Sequence, residues 1–481
     1  MPTNFAPLTY KRRMLVLLIC CISILIVGLD ITILNVALPS LQRELNASIS
    51  GAQWTIDAYM LVIGSFLMMA GSSADRFGRK RVFQAGLLIF TLGSALCSLA
   101  PSLGWLVVFR AVQAVGGSML NPVAISIITN TFTDRKERAR AFGAWGGIAG
   151  ISMAAGPIIG GTLVDTVGWR AIFWMNIPIG IAAFALTGLF VPESKALSPR
   201  RADVVGQILV VCLLASLVYA IIEAPGMGWA SPVIVACLLV AGVCFVGLIF
   251  YESNHSEPLI DPRFFRSAPF SGASIIALTA FAVLGGFLFL NTLYLQDVRL
   301  YPAFRAGLYI LPMAGAVTIG GPVSGYIIGR FGPRIPLVVG AIAFTAAAVM
   351  FAVSGLTISD ERLFTGYVLV GAGVGFVSAA ITNTAVAGMP VSQAGVASAI
   401  ASTMRQVGFS LGVAAIGSVL ASYSDKISAG PAFAHASQIC WWIIACCGMA
   451  VLGVALVTTG AWGRKTAERT ALLLAIEEAR V

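Results

Sequence analysis

Four charged side chains stand inside stretches of sequence that are otherwise apolar. Asp30 lies in MLVLLICCISILIVGLDITILNVAL (residues 14–38), Asp57 in the second such stretch, Arg110 in the fourth and Arg405 in the thirteenth. A charge at the centre of a bilayer costs roughly 2.5–3.5 kcal/mol on insertion scales, so those that persist line cavities, pair with one another, or handle protons and ions. At 1.5 Å per residue, Asp30 is about 12 Å, Asp57 about 9 Å and Arg110 about 10 Å from the outer ends of their stretches, which puts all three in one layer. Burial favours a protonated acid and a nearby guanidinium favours an ionised one, so a small rearrangement there can load or release a proton. Asp30 therefore reads as a proton or substrate carrier, or as half of a structural ion pair with Arg110, and the two readings are compatible.

Trp54, Asp57 and Leu61 share a helix face, where an aromatic ring and an anion could hold an organic cation. The same residues also fit an interfacial tryptophan beside a wetted aspartate. Arg405 lacks an obvious acidic partner in its own half, and faces either a central cavity or a helix carbonyl. Glu223 closes the seventh stretch before Pro225 and reads as a boundary. The nine cysteines lie in apolar segments without metal-ligand spacing, and His255 and His435 are far apart, so neither metal chemistry nor histidine catalysis is expected.

The elements that must hold these residues are membrane helices. Of 481 residues 58% are hydrophobic and 10% charged, against about 25% charged in a soluble domain. The net charge of +10 is spread over short connectors, which excludes a nucleic-acid patch. Apolar windows predict fourteen spans, at about 14–38, 51–72, 82–100, 103–130, 140–165, 169–191, 203–223, 231–251, 270–296, 305–328, 335–355, 362–388, 396–422 and 437–462. The first run follows Lys11-Arg12-Arg13 but has no small-x-small cleavage site, so it is a retained span. With both termini in the cytoplasm, 22 of the 30 Lys and Arg fall on that side and six on the other.

The chain also repeats itself. Gly71 to Lys80, after span two, returns as Gly325 to Arg334 after span ten. Internal duplication marks transporter folds whose halves rock about a central site. The expected domains are a cytoplasmic N-terminus (1–13), a six-helix bundle (14–191), two inserted spans (203–251), a second six-helix bundle (270–462) and a cytoplasmic tail (463–481) that could form an interfacial helix. The short termini point to a bacterial inner membrane and the chain is expected to act as a monomer.

Leu29-Asp30-Ile-Thr32-Ile-Leu-Asn35-Val-Ala-Leu-Pro39, Gly71 to Arg81, Arg110-Ala-Val-Gln113-Ala114-Val-Gly116, Gly150 with Gly156-Pro157-Ile-Ile-Gly160-Gly161, Trp169 to Gly180 and Tyr294-Leu295-Gln296 together resemble the major facilitator superfamily. The likeness is to its fourteen-span drug:proton antiporters, although Ala114 and Gly329 depart from the usual glycine and aspartate. The resemblance implies an all-α membrane fold of two six-helix bundles plus two extra helices. It gives Arg110 a part in proton coupling with Asp30 and Asp57. Gly71, Asp75, Arg76, Gly78 and Arg79 become a latch for the outward-facing state, and Gly150, Gly156, Pro157, Gly160 and Gly161 the antiporter motif. Glycines there permit close packing and Pro157 a bend. The expected substrate-binding set is Asp57, Trp54, Tyr59, Asn35, Gln113, Gln296 and Arg405.

The expected function is proton-coupled export of amphipathic, cationic drug-like compounds, with protons and the lipid bilayer as partners and no cofactor. There is no Gly-Lys-Ser/Thr phosphate motif to use ATP. The alternatives are a facilitator for a lipid or metabolite, a polytopic membrane enzyme, which would need a catalytic cluster, and a non-transporting sensor. On the charge asymmetry, reporters fused near Arg201 and at the C-terminus should both report cytoplasm; finding them on opposite sides of the membrane overturns the fourteen-span topology.

Overall fold

The computed structural model describes residues 9–195, 203–255, 258–355, 358–387, 389, 393–423 and 430–478. Among them are fourteen helices long and apolar enough to cross a membrane, and no strand. They are α1 (Tyr10–Leu45), α2 (Ile49–Phe77), α3 (Arg79–Ser98), α4 (Leu103–Thr131), α5 (Lys136–Thr166), α6 (Ala171–Phe190), α7 (Val204–Met227), α8 (Pro232–Asn254), α9 (Ala268–Val298), α10 (Ala303–Phe331), α11 (Arg334–Ala352), α12 (Asp360–Val386), α13 (Gly395–Ala421) and α14 (Phe433–Thr458). A further helix, α15 (Ala461–Glu478), follows the last span. An even number of crossings returns the chain to the face where it began, here called the terminal face; the other is the distal face.

Backbone hydrogen bonding forces this choice of structure, because an apolar span in lipid has to satisfy its own amides and carbonyls. The ends differ from the sequence reading where local chemistry extends a helix. Lys11 to Arg13 form part of the first turn of α1, and α7 runs past Glu223 and Pro225 to Met227 before Gly228 ends it at φ 87°. Glu223 is therefore a helical residue with a side chain to place, and not a boundary.

The pairings show the duplication. In the first half α1 packs on α5, α2 and α3 on α4, and α3 on α6; in the second α9 packs on α13, α10 and α11 on α12, and α11 on α14. Each contact recurs eight helices later. The two copies of the loop also turn alike, since Gly78 (φ 110°) and Gly332 (φ 80°) occupy equivalent positions in a region that favours glycine. The inserted pair is asymmetric. Leu61 of α2, Val210, Leu214, Val218 and Ile222 of α7, and Val407 and Ala414 of α13 form one apolar cluster, so α7 lies across the seam between the halves. Beyond it, α8 leaves Leu239, Val243, Val246 and Phe250 exposed, as suits a lipid-facing helix. The tail helix α15 docks on the start of α9, where the Thr466 hydroxyl accepts from the Ala268 amide at 3.0 Å.

Small residues set how closely the helices meet. At Gly408 and Gly412 of α13 the carbonyls of Leu278 and Ala282 on α9 occupy the space a Cβ would need. Gly412→Val should force α9 and α13 apart at a cost of about 1–3 kcal/mol. The measurement is thermal unfolding in detergent, where an unchanged midpoint would refute this tight contact.

Candidate functional site

Asp30 and Arg110 meet in the core of the first bundle. They are 5% and 1% exposed, and Arg110 Nη1 donates to Asp30 Oδ2 at 2.5 Å. The other carboxylate oxygen, Oδ1, accepts from Gln113 Nε2 at 2.9 Å and from Asn176 Nδ2 at 3.1 Å. Both amides also donate to the Ser94 hydroxyl, at 2.7 and 3.2 Å. Arg110 Nη1 reaches Gln113 Oε1 at 2.7 Å, and its Nε donates to the Thr55 carbonyl at 3.2 Å. The Tyr59 ring covers the guanidinium, whose Cζ is 4.0 Å from the ring centroid. A buried ion pair is tolerable only when its remaining donors and acceptors are also satisfied. Here α1, α2, α3, α4 and α6 each supply part of that solvation.

Glycine makes the geometry possible. A Cβ at Gly93 would strike the Gln113 backbone, and one at Gly116 would strike the Phe90 amide, so α3 and α4 touch where Arg110 and Gln113 turn inward. Asn176 and Ser94 were not among the expected site residues. Asn176 had a signal, because it stands in the Trp169 to Gly180 motif; Ser94 had none.

Asp57 lies elsewhere. It is fully buried on the side of α2 that meets α13, with Ser410 as its polar neighbour, and among the described residues no hydrogen bond of ordinary geometry reaches either of its oxygens. Trp54 turns to the inserted helix: its Nε1 donates to Glu223 Oε1 at 2.7 Å and its ring lies 5.9 Å from that of Tyr219. The indole is thus taken by α7 while the carboxylate is closed in against α13, and the two do not present a joint open face in this conformation. Asn35 Nδ2 bonds the Ile31 carbonyl of its own helix at 2.9 Å, and Gln113 and Tyr59 belong to the Asp30 network. Arg405 Nη2 donates to the Ser378 carbonyl at 3.1 Å and to the Thr382 hydroxyl at 2.5 Å.

The halves close on the distal side. Gln296 Nε2, in the last turn of α9, donates to the Val36 carbonyl of α1 at 2.8 Å. Gln53 Nε2 of α2 donates to the Val413 and Ala414 carbonyls of α13 at 3.2 and 2.9 Å. On the opposite seam the glycine-proline motif of α5 faces two ways. Gly156 and Gly160 leave room for Thr32 and Ile33 of α1, whereas Gly161 meets the Phe304 backbone of α10, and the Pro157 carbonyl meets Gly307. Asp165 completes the seal. Its Oδ1 accepts from the Ala303 amide at 3.2 Å and its Oδ2 from the Phe304 amide at 2.9 Å, the first free amides of α10 after Pro302. A carboxylate of one half thus caps a helix of the other, where orphan donors and the helix dipole both favour an anion.

Contact continues to mid-depth, where Gly64 meets Gln406 and Val407, and Gly150 faces the Thr318 hydroxyl. Farther toward the terminal face it ends. Gly71 on α2, Gly143, Gly146 and Gly147 on α5, Gly321, Gly325 and Gly329 on α10 and Gly395 on α13 all border open space. The cleft between the halves is therefore sealed distally and open on the terminal face. The loop after α2 stays on its own bundle in this state: Asp75 pairs with Arg79 at 2.9 Å, the Arg79 amide donates to the Ser194 carbonyl at 2.9 Å, and the Lys80 amide donates to Glu193 at 3.1 Å.

Comparison with known proteins agrees with this architecture. The family model described as Major Facilitator Superfamily matches residues 20–413. The multidrug resistance protein Stp of Mycobacterium tuberculosis is 37% identical over 413 residues, covering 86% of this chain and 77% of that protein. The tetracenomycin C resistance and export protein of Streptomyces glaucescens is 38% identical over 84% of this chain and 76% of its own length. The methylenomycin A resistance protein of Bacillus subtilis is 31% identical, covering 87% and 90%. Among solved structures, an auto-inhibited POT family peptide transporter superposes with a TM-score of 0.69 at 16% identity, covering 93% of this chain and 96% of that one. A bacterial homolog of the human lysosomal transporter Spinster, in an inward-facing and unoccupied conformation, gives 0.64 at 18% identity, covering 96% and 98%. At these identities the structural likeness concerns the fold.

The trans cap yields a direct test. Asp165→Ala removes both acceptors and should weaken distal closure by about 1 kcal/mol, roughly a fivefold shift toward the opened state. A cysteine replacing Ala306, which is 2% exposed in the adjoining turn, should then react several-fold faster with a membrane-impermeant maleimide added from the distal side. Unchanged reactivity would remove Asp165 from the gate.

Proposed function

The chain belongs to the major facilitator superfamily, and on that premise we propose that it exports amphipathic drug-like compounds by alternating access, driven by protons that enter through Asp30. The observation that carries this reading is the Asp30 network: an ionisable carboxylate held out of water inside a membrane helix bundle, against a guanidinium that can stabilise its charged form. The direction and the drug-like class are supported by relatives named for multidrug resistance, tetracenomycin C resistance and export, and methylenomycin A resistance. Those relatives are bacterial, which agrees with a bacterial inner membrane.

Placing the terminal face in the cytoplasm follows the Lys and Arg asymmetry, and makes the open cleft inward-facing. In that state the proposed latch, Gly71 to Arg79, rests on its own bundle, free to engage the second half when the cleft closes on the cytoplasmic side. A substrate then enters from the cytoplasm or inner leaflet while Asp30 is closed off from the distal side. Distal opening separates Asp165 from α10 and Gln296 from α1, and gives external protons a way to the layer that holds Asp30 and Asp57. Protonating Asp30 weakens its hold on Arg110. The released guanidinium bonds then bias the bundle toward returning inward, where the proton leaves.

A single neutralisation is a poor test, since Asp30→Asn leaves the Arg110 charge buried without compensation, a loss of about 3–5 kcal/mol. The double variant Asp30→Asn with Arg110→Gln removes both charges and should fold. In proteoliposomes with an imposed pH gradient, the native protein should export and the double variant should lose gradient-driven export by at least about a hundredfold while still exchanging substrate down its own gradient. Full proton-driven export by the double variant would make the pair structural only.

A further inference from the structure

Arg405 is a cation without an anion. Its guanidinium sits at mid-depth on α13, beside Gln406, where the last contact between the halves gives way to the open cleft. Both bonds made by Nη2 go to neutral groups of α12, the Ser378 carbonyl and the Thr382 hydroxyl. The Phe281 ring of α9 lies 5.7 Å from its Cζ. Nε is buried and makes no hydrogen bond, whereas Nη1 is neither bonded nor sealed, and the residue as a whole is partly exposed. Among the described residues no carboxylate pairs with it. Elsewhere in the membrane layer Arg110 pairs with Asp30, Asp165 with the start of α10 and Glu223 with Trp54, and Asp57 is buried against α13 beside Ser410.

The two bonds to α12 do not explain a positive charge. A glutamine amide could donate to the same carbonyl and hydroxyl without the desolvation cost of a guanidinium at this depth. What the charge adds is three N–H donors on Nη1 and Nε, with Nη1 the one nitrogen that is neither bonded nor buried. Guanidinium is also the side chain best matched to carboxylate oxygens.

Resting on the export reading above, we propose that Arg405 is the anion-holding group at the apex of the cleft, and that this protein's substrates include amphipaths carrying a carboxylate. The guanidinium takes the acidic oxygen through Nη1, while Phe281 and the apolar walls of α9 and α13 receive the hydrophobic part. Thr382 and Ser378 hold the side chain so that Nη1 stays turned to the opening. A cationic headgroup would be repelled from this position, so the site assigns a charge preference that differs from the one Asp57 would impose.

The test uses the full chain in lipid nanodiscs with pyrenebutyric acid and its primary amide as probes, corrected for binding to empty discs. The native protein should bind the acid at least about tenfold more tightly than the amide, as one charge-assisted hydrogen bond requires. Arg405→Gln should abolish that preference and leave the amide affinity within about twofold, and Arg405→Lys should keep part of it, which guards against a folding defect in the glutamine variant. Equal binding of acid and amide by the native protein, binding of neither, or a preference that survives Arg405→Gln overturns the assignment. Gradient-driven efflux of ethidium from proteoliposomes separates this outcome from the premise. Ethidium export without any acid preference sinks the role of Arg405 alone, whereas an acid preference without gradient-driven export of either probe or ethidium sinks the export reading and leaves the anion site standing.

Discussion

An aspartate and an arginine removed from water inside a helical bundle impose more on this structure than any other pair of residues. Each alone would be intolerable there, and together they are stable only because the remaining bonds of both are met. Asp30 needs Gln113 and Asn176, Arg110 needs the Thr55 carbonyl, and the two amides need Ser94. Those partners come from five helices, so the first bundle cannot loosen locally without stranding a charge. The seam between the bundles is held more lightly, by a few hydrogen bonds and close glycine contacts.

Helix α5 shows how one sequence serves both needs. Its glycines at 156 and 160 fuse it to α1 within the bundle, and those at 150 and 161, with the Pro157 carbonyl, let it slide against α10 of the other half. Larger side chains on either face would fix α5 to one partner or hold it away from both. Asp165 adds direction to this surface, since it binds the two free amides of α10 where the distal side is shut. The seal on the other seam is made by Gln53 and by the packing of α2 on α13.

The inserted pair turns out to be part of that second seam. α7 lays an apolar ridge across α2 and α13, bonds the Ser65 carbonyl through Gln207 at 2.8 Å, and holds Trp54 through Glu223. It therefore touches both moving bodies, while α8 screens it from lipid.

Length, hydropathy and the sparse charges were enough to determine fourteen membrane helices and the repeat, because backbone hydrogen bonding in lipid leaves an apolar run of this length no other structure. Asp30 and Arg110 were legible as partners for the same reason: two opposite charges at equal depth in one half have few alternatives. Pairings that join distant segments were not legible. Asp165 and Gln53 are ordinary polar residues in the sequence and Gln296 stood there as an expected substrate contact; all three bridge the halves only because the halves meet at the amides and carbonyls that they reach. The face shared by Trp54 and Asp57 was correctly periodic, yet α7 and α13 approach it from different sides, and periodicity on one helix cannot say which neighbour takes which residue. Arg405 was open between cavity and carbonyl, and the tertiary structure places its Nη2 on the Ser378 carbonyl and Thr382 hydroxyl of α12. Periodicity and burial cost act along the chain and can be read from it, whereas the partner of a side chain is decided by which helix packs against its face, and that is a property of the assembled bundle alone.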